Sequence, residues 1–232
     1  MEETETSHSS KSLWGWVIGI VLLIAAFAAS WVLTAEYTTE QTVERSFVID
    51  EDFTKVRKIM VRTNATKEIM TMGGTSEFVE QKWDEGTVDT GSEHIGEALL
   101  KTVLSADPNW KLQLNGILKV RTLDDYIGRQ VVTLHQDVEI TPNEIDSVSK
   151  LEKGSERLKG YELTTILKRE EDHTRVDLTL MQKIKTNAPW FAHGIADRRV
   201  KASAAKALEK QEQATIQLID DNKDKSWLFP LN

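Results

Sequence analysis

An uncharged apolar run near the N-terminus sets the first limit on the architecture of this chain. Residues 12–35 contain no Asp, Glu, Lys or Arg, and the 21 residues from Leu13 to Leu33 are almost wholly apolar. As a helix rising 1.5 Å per residue they would span about 31 Å, close to the ~30 Å hydrocarbon core of a bilayer. Aromatic residues flank the run at both ends, as at membrane interfaces: Trp14, Trp16, Trp31 and Tyr37. The run predicts one transmembrane anchor over residues 13–35, behind an N-terminal tail of residues 1–12.

A cleaved signal peptide is the alternative interpretation of this run. Ala26-Phe27-Ala28 has the small-x-small pattern of a cleavage site. Apolar residues continue beyond it to Leu33, and the run is longer than the core of an ordinary signal peptide, which favours an uncleaved anchor. Lys11 precedes the run, whereas the first cation after it is Arg45. By the positive-inside rule, this asymmetry predicts a cytoplasmic N-terminus and an extracytoplasmic domain.

Gly15 and Gly19 form a GxxxG pattern within the predicted anchor. Small residues at this spacing let two helices approach each other closely. Because the pattern also arises by chance in Gly- and Ala-rich spans, it permits self-association through this face without requiring it.

The composition excludes several classes of function. The 232 residues carry a formal net charge of −8, so there is no basic footprint for nucleic acid. The absence of cysteine excludes disulfides, thiol catalysis and Cys-ligated zinc. The HExxH motif and Gly-rich phosphate loops are absent, and the five histidines do not occur at metal-ligand spacing. The sequence therefore predicts no catalytic residue, no cofactor and no metal.

Behind the anchor, the sequence predicts one α+β domain over residues 36–222 and a C-terminal tail over residues 223–232. Alternating apolar residues predict a strand over Thr42–Ile49, with Arg45 as the exception on its apolar face. Asp50 is the predicted N-cap of the helix that follows. A second short helix is predicted over Lys67–Met72, between Asn64 as its cap and a Gly-Gly stop at residues 73–74.

A run of strands follows these two helices. Turn residues and alternation predict strands over Ser76–Trp83, Leu112–Arg121, Gln130–Ile140, Glu144–Leu151, Gly160–Arg169 and Thr174–Lys185. From Leu112 onwards the connections are short and polar, which favours antiparallel hairpins over parallel crossovers. His94–Leu104 favours a further helix by its spacing of apolar residues, so residues 93–111 are interpreted as an insertion.

A long C-terminal helix is predicted from Pro189 to about Asp220. Val200, Ala204, Ala207 and Gln211 recur along it at steps of four, three and four, which places them on one face. Because alanine fills little volume, this stripe either packs closely or leaves a hollow beneath the helix.

Three local patterns resemble those of a known superfamily. They are Phe47-Val48-Ile49-Asp50, the turn Glu139–Ile145 with its Pro142, and the Thr-centred stretch His173–Leu178. Together with the order of elements, these patterns resemble the helix-grip superfamily (SRPBCC), which includes START-type lipid-transfer domains and polyketide cyclases. The resemblance covers about Thr42–Asp220, and the segment 93–111 departs from the family order. It implies a curved antiparallel sheet around the long helix, usually enclosing an apolar cavity, but no functional residue transfers by name.

The candidate cavity residues come from both layers of this arrangement. Helix candidates are Val200, Ala204, Ala207 and Gln211, and Trp83 and Trp110 are candidates for an apolar wall. His135 is the polar contact of a cavity if its strand face points inward, and an ordinary solvated residue if that face points outward. Two apolar segments are candidates either for contact with a membrane or for covering an opening of the domain: Trp190 and Phe191, and Trp227, Leu228 and Phe229.

Three functions are compatible with these patterns. The first is a membrane-tethered module that binds an apolar small molecule or lipid in a cavity between the sheet and the C-terminal helix. The second is an interaction or scaffold protein without a cavity, and the third is a cyclase- or hydrolase-like enzyme on the same scaffold. An apolar cavity favours the first, a solid interior the second, and two or more titratable groups converging inside the cavity the third.

Overall fold

The computed structural model describes residues 19–27, 35–84, 110–124 and 127–225. Within these ranges, seven strands form one antiparallel sheet in the order β1-β7-β6-β5-β4-β3-β2. The strands are β1 (Glu36–Ile49), β2 (Ser76–Trp83), β3 (Leu112–Thr122), β4 (Val131–Ile140), β5 (Glu144–Leu151), β6 (Leu158–Glu170) and β7 (His173–Asn187). Helices α1 (Phe53–Arg62) and α2 (Ala65–Gly73) follow β1, and a 3₁₀ turn (Trp190–Ala192) leads into the long helix α3 (His193–Asp220). This curved antiparallel sheet with a long C-terminal helix fits the predicted helix-grip fold.

The cap of α1 differs from the prediction. Asp52 caps the helix, because its Oδ1 accepts a hydrogen bond from the Thr54 amide at 2.8 Å. The assignment of Asp50 was wrong because the helix begins only at Phe53, so Asp50 lies outside the first turn. Asp50 instead contacts His173, with 2.9 Å between its Oδ1 and the imidazole Nδ1.

The end of α2 agrees with the prediction. Gly74 follows the helix in the left-handed conformation, at φ 59°, and its amide donates to the Met70 carbonyl at 3.2 Å. Asn64 precedes the helix, also at positive φ, but its side chain makes no capping hydrogen bond. The short segment therefore ends through backbone geometry that glycine adopts at little cost.

Strand β1 begins at Glu36, six residues before the predicted Thr42. Burial alternates along these added residues, and Thr39 is buried. Tyr37 is the one residue among them with a large apolar side chain, so an alternation of apolar residues does not reveal this part of the strand. These residues pair with β7 in an antiparallel register that begins with Glu36 opposite Asn187. Arg45, the predicted exception on the apolar face, forms an ion pair with Glu212 of α3.

The core consists of two apolar clusters on the inner face of the sheet. The first includes Phe53, Ile59, Leu112, Leu178, Leu208 and Leu218, and the second includes Leu118, Leu134, Leu158, Ile184 and Val200. Tyr161 of β6 packs against both clusters. Each fully buried aliphatic side chain contributes on the order of 1.5–3 kcal/mol to stability, so these clusters fix the sheet against α1 and α3.

The predicted anchor is described only in part. Residues 19–27 are helical, and their large apolar side chains are exposed: Ile20, Val21, Leu22, Leu23, Ile24 and Phe27. In the described ranges, no helix combines the length and apolar character needed to span a bilayer. Other predicted features lie outside the described residues: Trp14, Gly15, Trp16, Trp31, the helix His94–Leu104 and the tail from residue 226.

Candidate ligand-binding cavity

Two adjoining chambers lie between the inner face of the sheet and the helices α2 and α3. The first has a volume of about 460 Å³, and its wall contains Asp124, Arg199, Lys206 and Lys210. The second has a volume of about 350 Å³, and none of its described wall residues carries a charge. We call them the charged chamber and the neutral chamber. Protein sites for small organic molecules are typically of about 300–1,000 Å³.

The wall of the neutral chamber is mainly aliphatic. Residues of α1, α2 and strands β3 to β6 supply it, including Met60, Val61, Ile69, Leu114, Leu118, Val138, Ile140, Ile145, Leu163 and Leu167. Trp83 of β2 also lines this chamber, opposite Gly116 of β3. A Cβ atom on Gly116 would lie 2.4 Å from the Lys82 carbonyl oxygen and 2.8 Å from Trp83 Cε3. The glycine therefore permits the close approach that sets the position of Trp83.

The amides inside the neutral chamber are hydrogen-bonded by neighbouring side chains. Buried Gln136 accepts from Gln81 Nε2 at 2.8 Å and donates to Ser147 Oγ at 3.4 Å. Across the chamber, Gln211 of α3 donates to Thr165 Oγ1 at 3.4 Å. A buried polar group costs free energy mainly when it has no hydrogen-bond partner. Because these amides are paired, an apolar ligand can pack against this wall without leaving them unsatisfied.

Tyr161 and Gln211 form the boundary between the two chambers. Both residues line both chambers, one from the sheet and the other from α3, together with Met70, Thr75 and Ser76. Burial raises the pKa of the Tyr161 phenol to about 12. At neutral pH the group is therefore an uncharged hydroxyl that can donate or accept a hydrogen bond.

The charged chamber differs in its polar groups. Arg199 and Lys206 are exposed and Lys210 is half-buried, and in the described part of the chain none of them forms an ion pair. Asp124 opposes them, and its carboxylate accepts hydrogen bonds from the Ser203 hydroxyl and the Ile127 amide.

Gln182 of β7 also lines the charged chamber. The residue is only 5% exposed, and its Oε1 has no hydrogen-bond partner among the described residues. It stands beside Tyr161 in the register of β6 and β7.

The structure places only some of the sequence-predicted candidates in these walls. Trp83 lines the neutral chamber, Ala207 the charged chamber, and Gln211 both. Val200 and Ala204 are buried in the two core clusters, one turn apart on α3. They fill space against the sheet and do not line a described chamber.

Trp110 is buried but also lies away from both chambers. The Arg57 guanidinium stacks on its ring, with 4.8 Å from Cζ to the ring centroid, and donates to the Thr141 carbonyl at 3.1 Å. Burial, followed by the neighbouring Arg169, lowers the pKa of Arg57. Trp110 therefore covers a buried cation at the α1 end of the core.

His135 lies on the outward face of β4. Its Nε2 is 3.2 Å from Asp137 Oδ1, and the side chains of both residues are substantially exposed. The inward polar residue is its neighbour Gln136, which follows Val132 and Leu134 on the same face. The sequence signal for such an inward polar residue is a glutamine that occupies the next alternating position after two apolar residues. Gln182 shows the same pattern, since it follows Leu178 and Leu180.

The two walls differ in their titratable side chains. Tyr161 is the one titratable residue in the described wall of the neutral chamber, whereas the charged chamber also has Asp124, Lys206 and Lys210. Neither wall contains a histidine among the described residues, and Asp124 is the one described carboxylate there. No group of three or more His, Asp or Glu residues in the described ranges could hold a metal ion. The arrangement can bury an apolar body and orient it by hydrogen bonds at the Tyr161 boundary.

The comparisons with known proteins concern the fold alone. No protein-family model matches the sequence, and no curated protein sequence matches it. A Staphylococcus aureus protein of unknown function is similar in structure at 7% identity, covering 81% of this chain and 98% of that chain, with a TM-score of 0.50. A START superfamily protein from Mycobacterium smegmatis aligns over 78% of this chain and 97% of that chain, at 12% identity and a TM-score of 0.40. An aromatase/cyclase from a Streptomyces species aligns over 80% and 94%, at 9% identity and a TM-score of 0.37.

Proposed function

We propose that this chain is a membrane-tethered module that binds an apolar small molecule or lipid between its sheet and α3. The observation that carries the proposal is the pair of adjoining chambers of about 460 and 350 Å³. A scaffold protein without a cavity would have this space filled by side chains. A cyclase- or hydrolase-like enzyme would need titratable groups that converge where the apolar body of the substrate binds. Tyr161 is the one titratable residue in the described wall of the neutral chamber, and Asp124, Lys206 and Lys210 line the charged chamber instead.

The energetics of the neutral chamber suit this role. Burying apolar ligand surface is favourable by about 25 cal/mol per Å², so roughly 200 Å² would contribute about 5 kcal/mol before the costs of association. The aliphatic wall and Trp83 supply the matching surface. Tyr161 and Gln211 supply the few polar contacts that orient a ligand.

An exposed aromatic patch supports the tether. Trp190, Phe191 and Ile195 are 75%, 61% and 47% exposed. The patch lies near the point where the chain enters the domain, because the Ala188 amide donates to the Ala35 carbonyl at 3.0 Å. Aromatic side chains are favoured at bilayer interfaces, so this end of the domain is suited to face the membrane from which the predicted anchor would emerge.

Tyr37, a predicted interfacial residue, packs at the same end. Its ring stacks on His193 at 3.7 Å between centroids, and its hydroxyl donates to Asp197 Oδ1 at 2.9 Å. We place the N-terminus in the cytoplasm and the domain outside it, and Gly15 and Gly19 offer a face for pairing two anchors. A C-terminal alkaline phosphatase fusion tests the orientation, since activity is expected only if the domain is exported.

Ligand binding is tested with N-phenyl-1-naphthylamine, an uncharged apolar fluorophore, and the full chain in phosphatidylcholine nanodiscs. The signal of nanodiscs without protein is subtracted. We expect saturable binding that falls at least tenfold in Val138→Phe, because the larger ring would occupy the neutral chamber. Val131→Phe is the matched control, since Val131 lies exposed on the same strand. Equal binding by the two variants, or no saturable binding by the parent chain, would contradict the proposal.

A further inference from the structure

We infer that the ligand is an amphipathic anion, with its apolar body in the neutral chamber and its anionic head beside Arg199, Lys206 and Lys210. The inference rests on the proposed function and narrows it to one class of ligand. A fatty carboxylate, an alkyl sulfate and a phosphate monoester of a lipid share this chemistry.

The three cations form one row on α3. Arg199, Lys206 and Lys210 are separated by seven and four residues, which places them on the same side of the helix, and all three line the charged chamber. The opposing carboxylate, Asp124, leaves an excess of two positive charges in the described wall. An anion entering this chamber would therefore meet a favourable field.

The lack of counter-ions distinguishes this row from the cations of the sheet. Four sheet cations pair with glutamates at 2.6–3.1 Å: Lys119 with Glu80, Arg121 with Glu77, Lys183 with Glu40 and Lys185 with Glu36. In the described residues no such partner reaches Arg199, Lys206 or Lys210. Within the described part of the chain, these three charges therefore remain available to a ligand.

Gln182 supplies an independent observation in the same chamber. Its buried Oε1 has no described partner, and an unpaired buried acceptor carries a free-energy cost that a bound donor removes. A hydroxyl or amide N–H between the head and the apolar body, as hydroxylated or amide-linked members of these ligand classes carry, would satisfy it. Gln211 at the boundary lies five residues from Lys206, or about 7.5 Å along the helix. If the head group binds at Lys206, the ligand atoms next to the head group lie beside Tyr161 and Gln211, at the boundary between the two chambers.

The test compares two fluorophores that differ by one charged group. 8-Anilinonaphthalene-1-sulfonate carries a sulfonate on the same ring system as N-phenyl-1-naphthylamine. Both are titrated against the full chain in phosphatidylcholine nanodiscs and against the double variant Lys206→Gln/Lys210→Gln. We expect the dissociation constant of the sulfonate to rise roughly fivefold to tenfold in the variant, whereas that of the uncharged probe changes less than twofold.

Lys201→Gln is the matched control, because Lys201 is exposed on α3 but absent from the chamber wall. Arg199→Gln is a second, single variant with an expected loss of about twofold to threefold for the sulfonate alone. A higher salt concentration should weaken the binding of the sulfonate probe and leave the binding of the uncharged probe unchanged.

The outcomes separate the inference from the proposed function. If the parent chain binds the uncharged probe but shows no dependence of sulfonate binding on Lys206, Lys210 or salt, the inference is overturned and the proposed function stands. An equal loss in Lys201→Gln would also overturn it, since the effect would then be one of net charge. If neither probe binds the parent chain, the proposed function itself fails.

Discussion

The neutral and charged chambers are neighbours, yet their walls are completed in different ways. In the neutral chamber each interior glutamine has side-chain partners, as Gln136 does with Gln81 and Ser147. In the charged chamber Gln182 keeps an unpartnered oxygen, and three cations stand without described counter-ions. A wall whose polar groups are already paired can accept hydrocarbon, whereas a wall with unpaired groups favours a polar occupant. The contrast indicates one ligand with two chemically different ends.

The largest expected effect concerns the position of Trp83 in the neutral wall. Gly116→Ala should lower the free energy of unfolding by about 2–4 kcal/mol, because its Cβ would overlap the Lys82 carbonyl and the Trp83 ring. Chemical denaturation followed by circular dichroism measures the change. Gly73→Ala is the control, since that Cβ would lie 3.7 Å from its nearest neighbour, the Lys210 carbonyl oxygen. A loss for Gly116→Ala no larger than that of the control would show that Trp83 can shift freely.

The second prediction concerns the pH dependence of stability at the boundary. Burial raises the pKa of Tyr161 to about 12, whereas the unfolded chain loses this proton near pH 10. The contribution is fully present below pH 10 and is lost as the pH rises to about 12, by roughly 1.4 kcal/mol per pH unit. Tyr161→Phe should lack this component, which denaturation curves at pH 9, 10 and 11 would measure. If the curves of the variant and the parent chain fall equally with pH, the hydroxyl is in contact with solvent.

The smallest expected effects compare the two buried glutamines directly. Gln136→Met should cost about 1–2 kcal/mol, because it leaves Gln81 and Ser147 without their partner. Gln182→Met should be neutral or stabilise the fold by up to about 1 kcal/mol, because it removes an unpaired acceptor. Thermal unfolding of both variants gives the comparison. Similar losses in both would mean that Gln182 is satisfied in solution, which would remove one support for a ligand donor at that position.

Much of the sheet could be predicted from local sequence patterns. The observed bounds of β2 and β5 are the predicted ones, and β3, β4, β6 and β7 differ from prediction by at most two residues at either end. Their turns carry the residues that favour reversals, and their apolar residues alternate. The first half of β1 was missed because its inward residues are Thr39 and Gln41, whose polarity hides the alternation. Asp50 was the wrong cap because aspartate at position 50 and at position 52 caps equally well, and only the observed start of the helix at Phe53 distinguishes them.

The candidate site was less accessible to the same reasoning. The small residues on α3 predicted either close packing or a hollow beneath the helix, and both outcomes occur. Ala207 and Gln211 line the chambers, whereas the neighbouring Val200 and Ala204 are packed in the core. One stripe divides in this way because the local shape of the sheet decides which of its residues meet a neighbour. Tyr161, Gln182 and the row of cations were not singled out, since nothing in their local sequence shows whether they are paired.

The sequence by itself determined the strand pattern, the antiparallel connections and the long terminal helix, because these depend on periodicity and turn chemistry within a few residues. Only the tertiary structure decided which polar side chains have partners. Gln81 and Gln136 lie 55 positions apart in the chain and meet only when β2, β3 and β4 assemble. The cost of burying a polar group depends on such distant encounters, so the difference between the two chambers arises only in the assembled fold.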